Sequence, residues 1–293
     1  MYTHLTLSEC LNKATQRLKI AGSSSPFLDA QLLLMTAIQG SRIDLITKAH
    51  DKIHPQNALE FEDFLKRREE HEPISYILGF KEFMGLEFRV NPNVLIPRPD
   101  TEILFEKVYN YLQKEEPHKR VLDIGTGSGC LAISLAHFLK DVQVTAWDKS
   151  KSALLCAREN ADRILSKSQK VSFSCVDALV EKSWENLQKF DLIMSNPPYI
   201  AMKEKSLLCK GVLNFEPHEA LFANKDGLEF YLVIAKFAHK ILKPEGCIFV
   251  ETSSPLFEDI KELFERHMWK VQSIFKDLAG HKRVIQLCKK GND

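Results

Sequence analysis

The chain has 293 residues, 40 basic against 39 acidic for a net charge of +1, enough for a large core in one long domain or two unequal ones. That balance advertises no phosphate-binding track, so no direct nucleic-acid partner is expected. The seven cysteines (10, 130, 156, 175, 209, 247 and 288) form no C-x-x-C pair or Cys/His cluster, which argues against a metal site or disulfide framework; no signal pattern or membrane-length apolar run is present, and a soluble cytoplasmic protein is expected.

Thr6-Leu7-Ser8-Glu9 matches a capping box, and Leu7, Leu11, Ala14 and Leu18 recur at helical spacing until Gly22. Ser25-Pro26 opens a second helix running to Gly40, a short apolar patch follows at Ile43–Ile46, and Pro55 begins another helix. The charges from Lys66 to Glu70 read as its solvated face. Residues 1–84 are expected to form a helical substrate-recognition domain without catalytic residues. At 85–103 the period changes, and Phe88–Val90 and Val94–Ile96 around Asn91-Pro92-Asn93 suggest a connecting hairpin. Asp100 or Thr101 is placed to cap the helix that follows, within a third region at 104–293.

There the pattern is strand, glycine turn, helix, strand, repeated, which predicts an α/β fold with a mainly parallel sheet. The strands are Val121–Ile124, Val142–Asp148, Val171–Asp177, Phe190–Met194 and Gly246–Glu251, with a closing hairpin of Val271–Lys276 and Arg283–Cys288. The turn Gly125-Thr126-Gly127-Ser128-Gly129 lets backbone approach a ligand closely. A dinucleotide fingerprint would need glycine at 130, where the chain has Cys130. Asp123 beside the turn disfavours a pyrophosphate and suits an ammonium group. Asp148 is placed for both hydroxyls of a ribose and Asp177 for an adenine, unless each merely ends its strand.

After the fourth strand comes Ser195-Asn196-Pro197-Pro198-Tyr199. Two prolines stiffen the turn, leaving the Asn196 side chain and the Pro197 carbonyl as acceptors for a planar amine or amide.

The joint pattern D-x-G-x-G-x-G with acids at the next strand tips resembles the S-adenosylmethionine-binding half of class I methyltransferases. The resemblance implies a seven-stranded Rossmann-like sheet whose last strand is antiparallel. It also implies that Asp123 and Gly125–Gly129 hold the methionine end of the cofactor, Asp148 the ribose, and Asp177 with Ala178 the adenine. Asn-Pro-Pro-Tyr occurs in the amino-methyltransferases of this class. A nitrogen with a delocalised lone pair is a poor nucleophile; Asn196 and Pro197 would hold its N–H groups and Tyr199 would stack on its face, so orientation supplies much of the rate. No general base is assigned.

Glu72-Pro73-Ile74-Ser75-Tyr76-Ile77-Leu78-Gly79, Leu95-Ile96-Pro97-Arg98-Pro99-Asp100-Thr101-Glu102, Phe215-Glu216-Pro217, Asp226-Gly227 and Asp277-Leu278-Ala279-Gly280 extend a resemblance to the release factor glutamine methyltransferases, the PrmC (HemK) family. It implies N5-methylation of the glutamine in the Gly-Gly-Gln loop of class 1 peptide chain release factors, with S-adenosylhomocysteine as the other product. The alternatives are a ribosomal-protein glutamine, adenine N6 in DNA or RNA, and a cofactor-sensing module without catalysis. Ala178, where relatives carry an aromatic residue, and Gly280-His281 depart from the pattern. Arg98 is open to two readings, closing the pocket or bridging the domains, and Phe215–His218 to lid or plain loop.

Overall fold

A computed structural model describes residues 2–290. It divides into two compact units, one formed by the residues up to Gly79 with Cys209–Phe215, the other by Phe80–Leu208 with the residues from Glu216 onward.

The first unit is helical: α1 (Leu7–Ile20), α2 (Pro26–Ala37), α3 (Arg42–Thr47), α4 (Pro55–Glu69) and α5 (Ile74–Leu78). The capping box starts α1, with Glu9 N–H donating to Thr6 Oγ1 at 3.2 Å and Thr6 N–H to the Glu9 carboxylate at 2.8 Å. Leu7, Cys10, Ala14 and Leu18 then share one face of α1 and enter a core with Leu33, Phe61 and Leu65. The charge run at the end of α4 is not simply solvated. Arg68 Nε lies 2.8 Å from Asp29 Oδ2 of α2, Asp29 being 3% exposed, and Glu69 pairs with Arg17 of α1 at 2.8 Å. The long side chains of the last turn fold across to neighbouring helices and tie three of them together, a choice that periodicity alone does not reveal.

The second unit begins with a hairpin of β1 (Phe80–Phe83) and β2 (Leu86–Arg89), which lies earlier than the sequence suggests. Its turn is Met84-Gly85, both with positive φ (52° and 74°), the backbone that matches the twist of a tight hairpin. Pro92 has no N–H to continue a ladder, and Val94–Ile96 forms no strand. The boundary between the units thus falls at Gly79, and the hairpin belongs to the second unit.

The chain continues through α6 (Pro99–Leu112), β3 (Lys119–Ile124), α7 (Cys130–Phe138), β4 (Val142–Asp148), α8 (Lys151–Ile164), β5 (Val171–Cys175) and β6 (Phe190–Ser195) to a short strand, β7 (Ile200–Ala201). It enters the first unit as α9 (Lys210–Phe215) and returns at Glu216. Then follow α10 (His218–Leu221), β8 (Phe222–Ala223), α11 (Glu229–Ile241), β9 (Leu242–Glu251), α12 (Phe257–Arg266), β10 (Trp269–Lys276) and β11 (Lys282–Lys289).

Seven strands form one sheet in the order β10-β11-β9-β6-β3-β4-β5, in which β11 is antiparallel to both neighbours and the other pairs are parallel. Side chains alternate across it: Leu122 and Ile124 of β3 join a core with α11 and α12, while Val121 joins the opposite core with α6 and α7. Helix α12, which the sequence patterns did not single out, puts Phe257, Ile260 and Phe264 on one buried face. Register aligns Ile124 with Trp147 and Ser195, and Ser195 with Val250, so the carboxyl ends of β3, β4, β6 and β9 finish at one edge. In open α/β sheets that edge is where ligands bind.

Candidate active site

At this edge is a cavity of about 390 Å³, within the size range of small-molecule sites. Its walls include Gly125 and Gly127, Asp148, Asp177 and Ala178, and Ser195 through Pro198. Trp147 and Phe230, neither singled out from the sequence, add aromatic wall.

The glycine turn is shaped by its conformation. Gly125, Gly127 and Gly129 have φ of +75°, +56° and +82°, which side chains other than glycine rarely adopt. The Gly125 and Thr126 amides both donate to the Trp147 carbonyl at 2.9 Å, and Gly127 N–H donates to Asp148 Oδ2 at 2.9 Å. A Cβ at Gly129 would lie 2.5 Å from Ile133 Cδ1 and 3.2 Å from Ala157 Cβ, so this glycine also lets α7 and α8 pack closely. Asn160, unremarked in the sequence, is fully buried beneath the turn; its Nδ2 donates to the Ser128 carbonyl at 2.9 Å and the Arg89 carbonyl at 3.0 Å. It thereby fastens the turn to β2.

The strand-tip acids differ. Asp148 has one oxygen on the Gly127 amide and the other on the Ser150 amide at 2.9 Å, which orients the carboxylate in the cavity wall. Burial holds its carboxyl above the usual carboxylate range, and those two amides oppose the rise. Asp177 Oδ1 accepts from Leu179 N–H at 2.9 Å, and the Ala178 carbonyl accepts from Trp184 Nε1 at 2.8 Å. With only a methyl group at 178, Trp184 fills the space behind it, edge-on to Trp147 at 5.7 Å between ring centroids. Asp123 is fully buried and not on the cavity wall, and neither oxygen has a hydrogen-bond partner among the described residues. Burial pushes it up to about 7, with Thr126 opposing. Thr126, Ser128 and Gly129 likewise lie behind the wall.

In the Asn-Pro-Pro-Tyr turn, Asn196 Nδ2 donates to Thr101 Oγ1 at 2.9 Å. The amide oxygen and the Pro197 carbonyl accept no hydrogen bond from the described residues, and both residues line the cavity. Thr101 therefore does not cap α6, which starts at Pro99 with no side-chain cap; its hydroxyl is spent on Asn196. Tyr199 lies outside the cavity wall, half-buried against the core of the sheet. The backbone behind it is tightly enclosed: a Cβ on Gly227, whose φ is +90°, would sit 2.2 Å from the Tyr199 carbonyl oxygen. Pairing of β7 with β8 anchors the same loop. Ser195 Oγ donates to the Ile124 carbonyl at 2.7 Å, joining the tips of β6 and β3.

Arg98 pairs with Glu216 at 2.6 Å, and Glu216 also accepts from the Ile96 amide at 3.3 Å. Glu216 is 3% exposed and precedes Pro217, Glu219 and Ala220 of the cavity wall, so the pair holds Val94 and Leu95 and the Pro217 segment as two sides of one cavity. Phe215 goes with the first unit.

A seven-stranded sheet in this order, with a glycine turn after its central strand and an acid at the tip of the next, defines the class I methyltransferase fold. A solved methyltransferase from Pyrococcus furiosus, 22% identical, shares it with a TM-score of 0.50, covering 72% of this chain and 92% of that one. Residues 9–79 match the PrmC N-terminal domain family and residues 100–273 the methyltransferase small domain family. The release factor glutamine methyltransferases of Clostridium acetobutylicum and Koribacter versatilis are each 36% identical over 96% of this chain and 98% of their own length. The chain belongs to the release factor glutamine methyltransferase family. The bifunctional methyltransferase of Rickettsia conorii is 39% identical over 96% of this chain, but the chain spans only 57% of that protein.

Proposed function

We propose that this chain transfers a methyl group from S-adenosylmethionine to the side-chain amide nitrogen of the glutamine in the Gly-Gly-Gln loop of class 1 release factors. One observation carries the reading: Thr101 takes the Asn196 Nδ2–H, leaving Oδ1 and the Pro197 carbonyl as two acceptors on one cavity wall. A primary amide offers two N–H donors to such a pair.

When bound, S-adenosylmethionine supplies an electrophilic methyl on a sulfonium. The residues present fit it. Gly125 and Gly127 let backbone line the site without side chains, and Asp148 is held by two amides with lone pairs left for a ribose diol. Asp123, closed off beneath the turn, acts on a cationic ligand through its field. Asp177 and Ala178 bound the adenine end. Asn196 and Pro197 orient the amide so that its lone pair faces the methyl, and much of the rate comes from that alignment. Tyr199 serves the clamp by bracing the loop from behind.

The even charge balance and a wall without a basic stripe favour a protein acceptor over a phosphate-bearing one. Among the described residues no helix is long and apolar enough to cross a membrane, in keeping with a cytoplasmic release-factor partner. Intact-mass measurement of a release factor incubated with the protein and S-adenosylmethionine should show one added methyl, lost when the loop glutamine is replaced. No transfer, or transfer instead to ribosomal protein or nucleic acid, would refute the reading. Asp148→Ala is expected to weaken cofactor binding by about 10- to 100-fold, the loss of charged hydrogen bonds, as read by calorimetric titration.

A further inference from the structure

We propose that Phe230 supplies the aromatic face of the acceptor site, resting against the plane of the substrate amide on the side opposite the incoming methyl, an inference that rests on the amide-methylation reading. The sequence pattern points to Tyr199 for such a face, but Tyr199 lies outside the cavity wall, whereas Phe230 is on it together with Asn196, Pro197 and Pro198. Trp147, the other aromatic residue of that wall, is 3% exposed and embedded in the core of the sheet; Phe230 is half-buried, with part of its surface uncovered. Its place is set from both sides along the chain. Three residues before it, Gly227 packs so closely that a Cβ there would sit 2.2 Å from the Tyr199 carbonyl oxygen, and just upstream β8 pairs with β7. Glu229 accepts from Asn224 N–H at 3.2 Å and from Asn224 Nδ2 at 3.0 Å, which fixes the start of α11. One residue after Phe230, the Tyr231 hydroxyl donates to the Glu251 carbonyl at 2.8 Å, at the tip of β9. Because β9 is the neighbour of β6, these ties hold Phe230 beside the strand tips from which the Asn-Pro-Pro-Tyr turn springs. Asp177 and Ala178 follow β5, three strands along the sheet from β6, which is about 14 Å at the ordinary strand spacing. Trp184, which donates to the Ala178 carbonyl, meets α11 at Phe237, about 10 Å further down the helix. Phe230 therefore stands at the acceptor end of the cavity and not at the adenine end.

The N–H bonds of a primary amide lie in its plane, and the nitrogen lone pair stands perpendicular to that plane. Asn196 Oδ1 and the Pro197 carbonyl take the in-plane N–H groups, so one face of the amide meets the methyl and the other is left for a ring. As the N–C bond forms and the methyl–sulfur bond breaks, positive charge grows on the nitrogen, which afterwards loses a proton to water. The negative face of an aromatic ring attracts such a charge, more strongly where water is excluded. An aliphatic side chain at 230 would fill the same space without that attraction, so the ring favours the transition state over the uncharged amide.

Phe230→Leu, which keeps an apolar side chain without a ring, should lower kcat for release-factor methylation by about 10-fold while the S-adenosylhomocysteine Kd, read by calorimetry, stays as in the wild type. Fluorinated phenylalanines placed at 230 keep the shape of the ring and weaken the negative potential of its face. With them kcat should fall at each added fluorine, a trend that a role in packing alone would not produce. Wild-type kcat in Phe230→Leu, a flat fluorine series, or a loss confined to the S-adenosylhomocysteine Kd would overturn the proposal. Failure of the substrate reading is seen separately. If the wild type methylates no release factor, the Phe230 ring resonances, identified by their loss in Phe230→Leu, decide as propanamide, a bare primary amide, is added to protein saturated with S-adenosylhomocysteine: a saturable shift supports the aromatic face, and no shift overturns it.

Discussion

Replacing Asn196 by alanine is expected to lower kcat by about 10²- to 10³-fold, the usual cost of removing one preorganised polar partner from a reacting centre. The effect is large because Asn196 Oδ1 and the Pro197 carbonyl lie together on that wall, and the Pro197 carbonyl alone leaves the nitrogen free to rotate. An amide with its lone pair delocalised has little reactivity to lose through misalignment. Cofactor affinity should change little, since the glycine turn and Asp148 remain. Single-turnover transfer to release factor, with cofactor binding measured by calorimetry, checks both halves. A variant that turns over normally would remove Asn196 from the clamp.

Gly227→Ala is expected to damage stability and transfer together. The added Cβ would sit 2.2 Å from the Tyr199 carbonyl oxygen and 2.9 Å from Leu256 Cδ1, at a backbone with φ of +90°. The strained conformation costs about 1–3 kcal/mol, and the carbonyl is backbone that cannot swing aside as a flexible side chain can. Relief must come from moving Tyr199, two residues beyond Pro197, and a displacement of about 1 Å at such a site costs on the order of 10²-fold in rate. Thermal unfolding should show a lowered midpoint, and kcat measured well below that midpoint should still be reduced. Normal kcat in the folded variant would mean that the loop tolerates the shift.

The site was legible wherever its signal is local. Gly125, Gly127 and Gly129 stand out because positive φ demands glycine, and Asp148 because the acid directly ends a strand. Thr101 was read as a helix cap, the commonest role of threonine before an apolar run, yet its hydroxyl serves a residue far along the chain. Nothing local marked Asn160, whose amide fastens the glycine turn to β2. The hairpin was misplaced because Asn-Pro-Asn is a strong turn signal, whereas Met84-Gly85 announces itself only through one glycine. Arg68 and Glu69 read as part of a solvated stripe because a salt bridge across helices leaves no periodic trace.

By itself, the sequence determined the α/β class, the glycine turn and the Asn-Pro-Pro-Tyr turn, since each depends on neighbouring residues whose backbone preferences act within a turn or a strand. Only the tertiary structure decided that Asp123 lies behind the cavity wall, that Glu216 clasps Arg98 beside it, and that Thr101 holds the Asn196 amide. Those relations follow from strand order and register. Both are set by how buried side chains pack across the whole sheet, and no local stretch of sequence encodes which strand tips become neighbours.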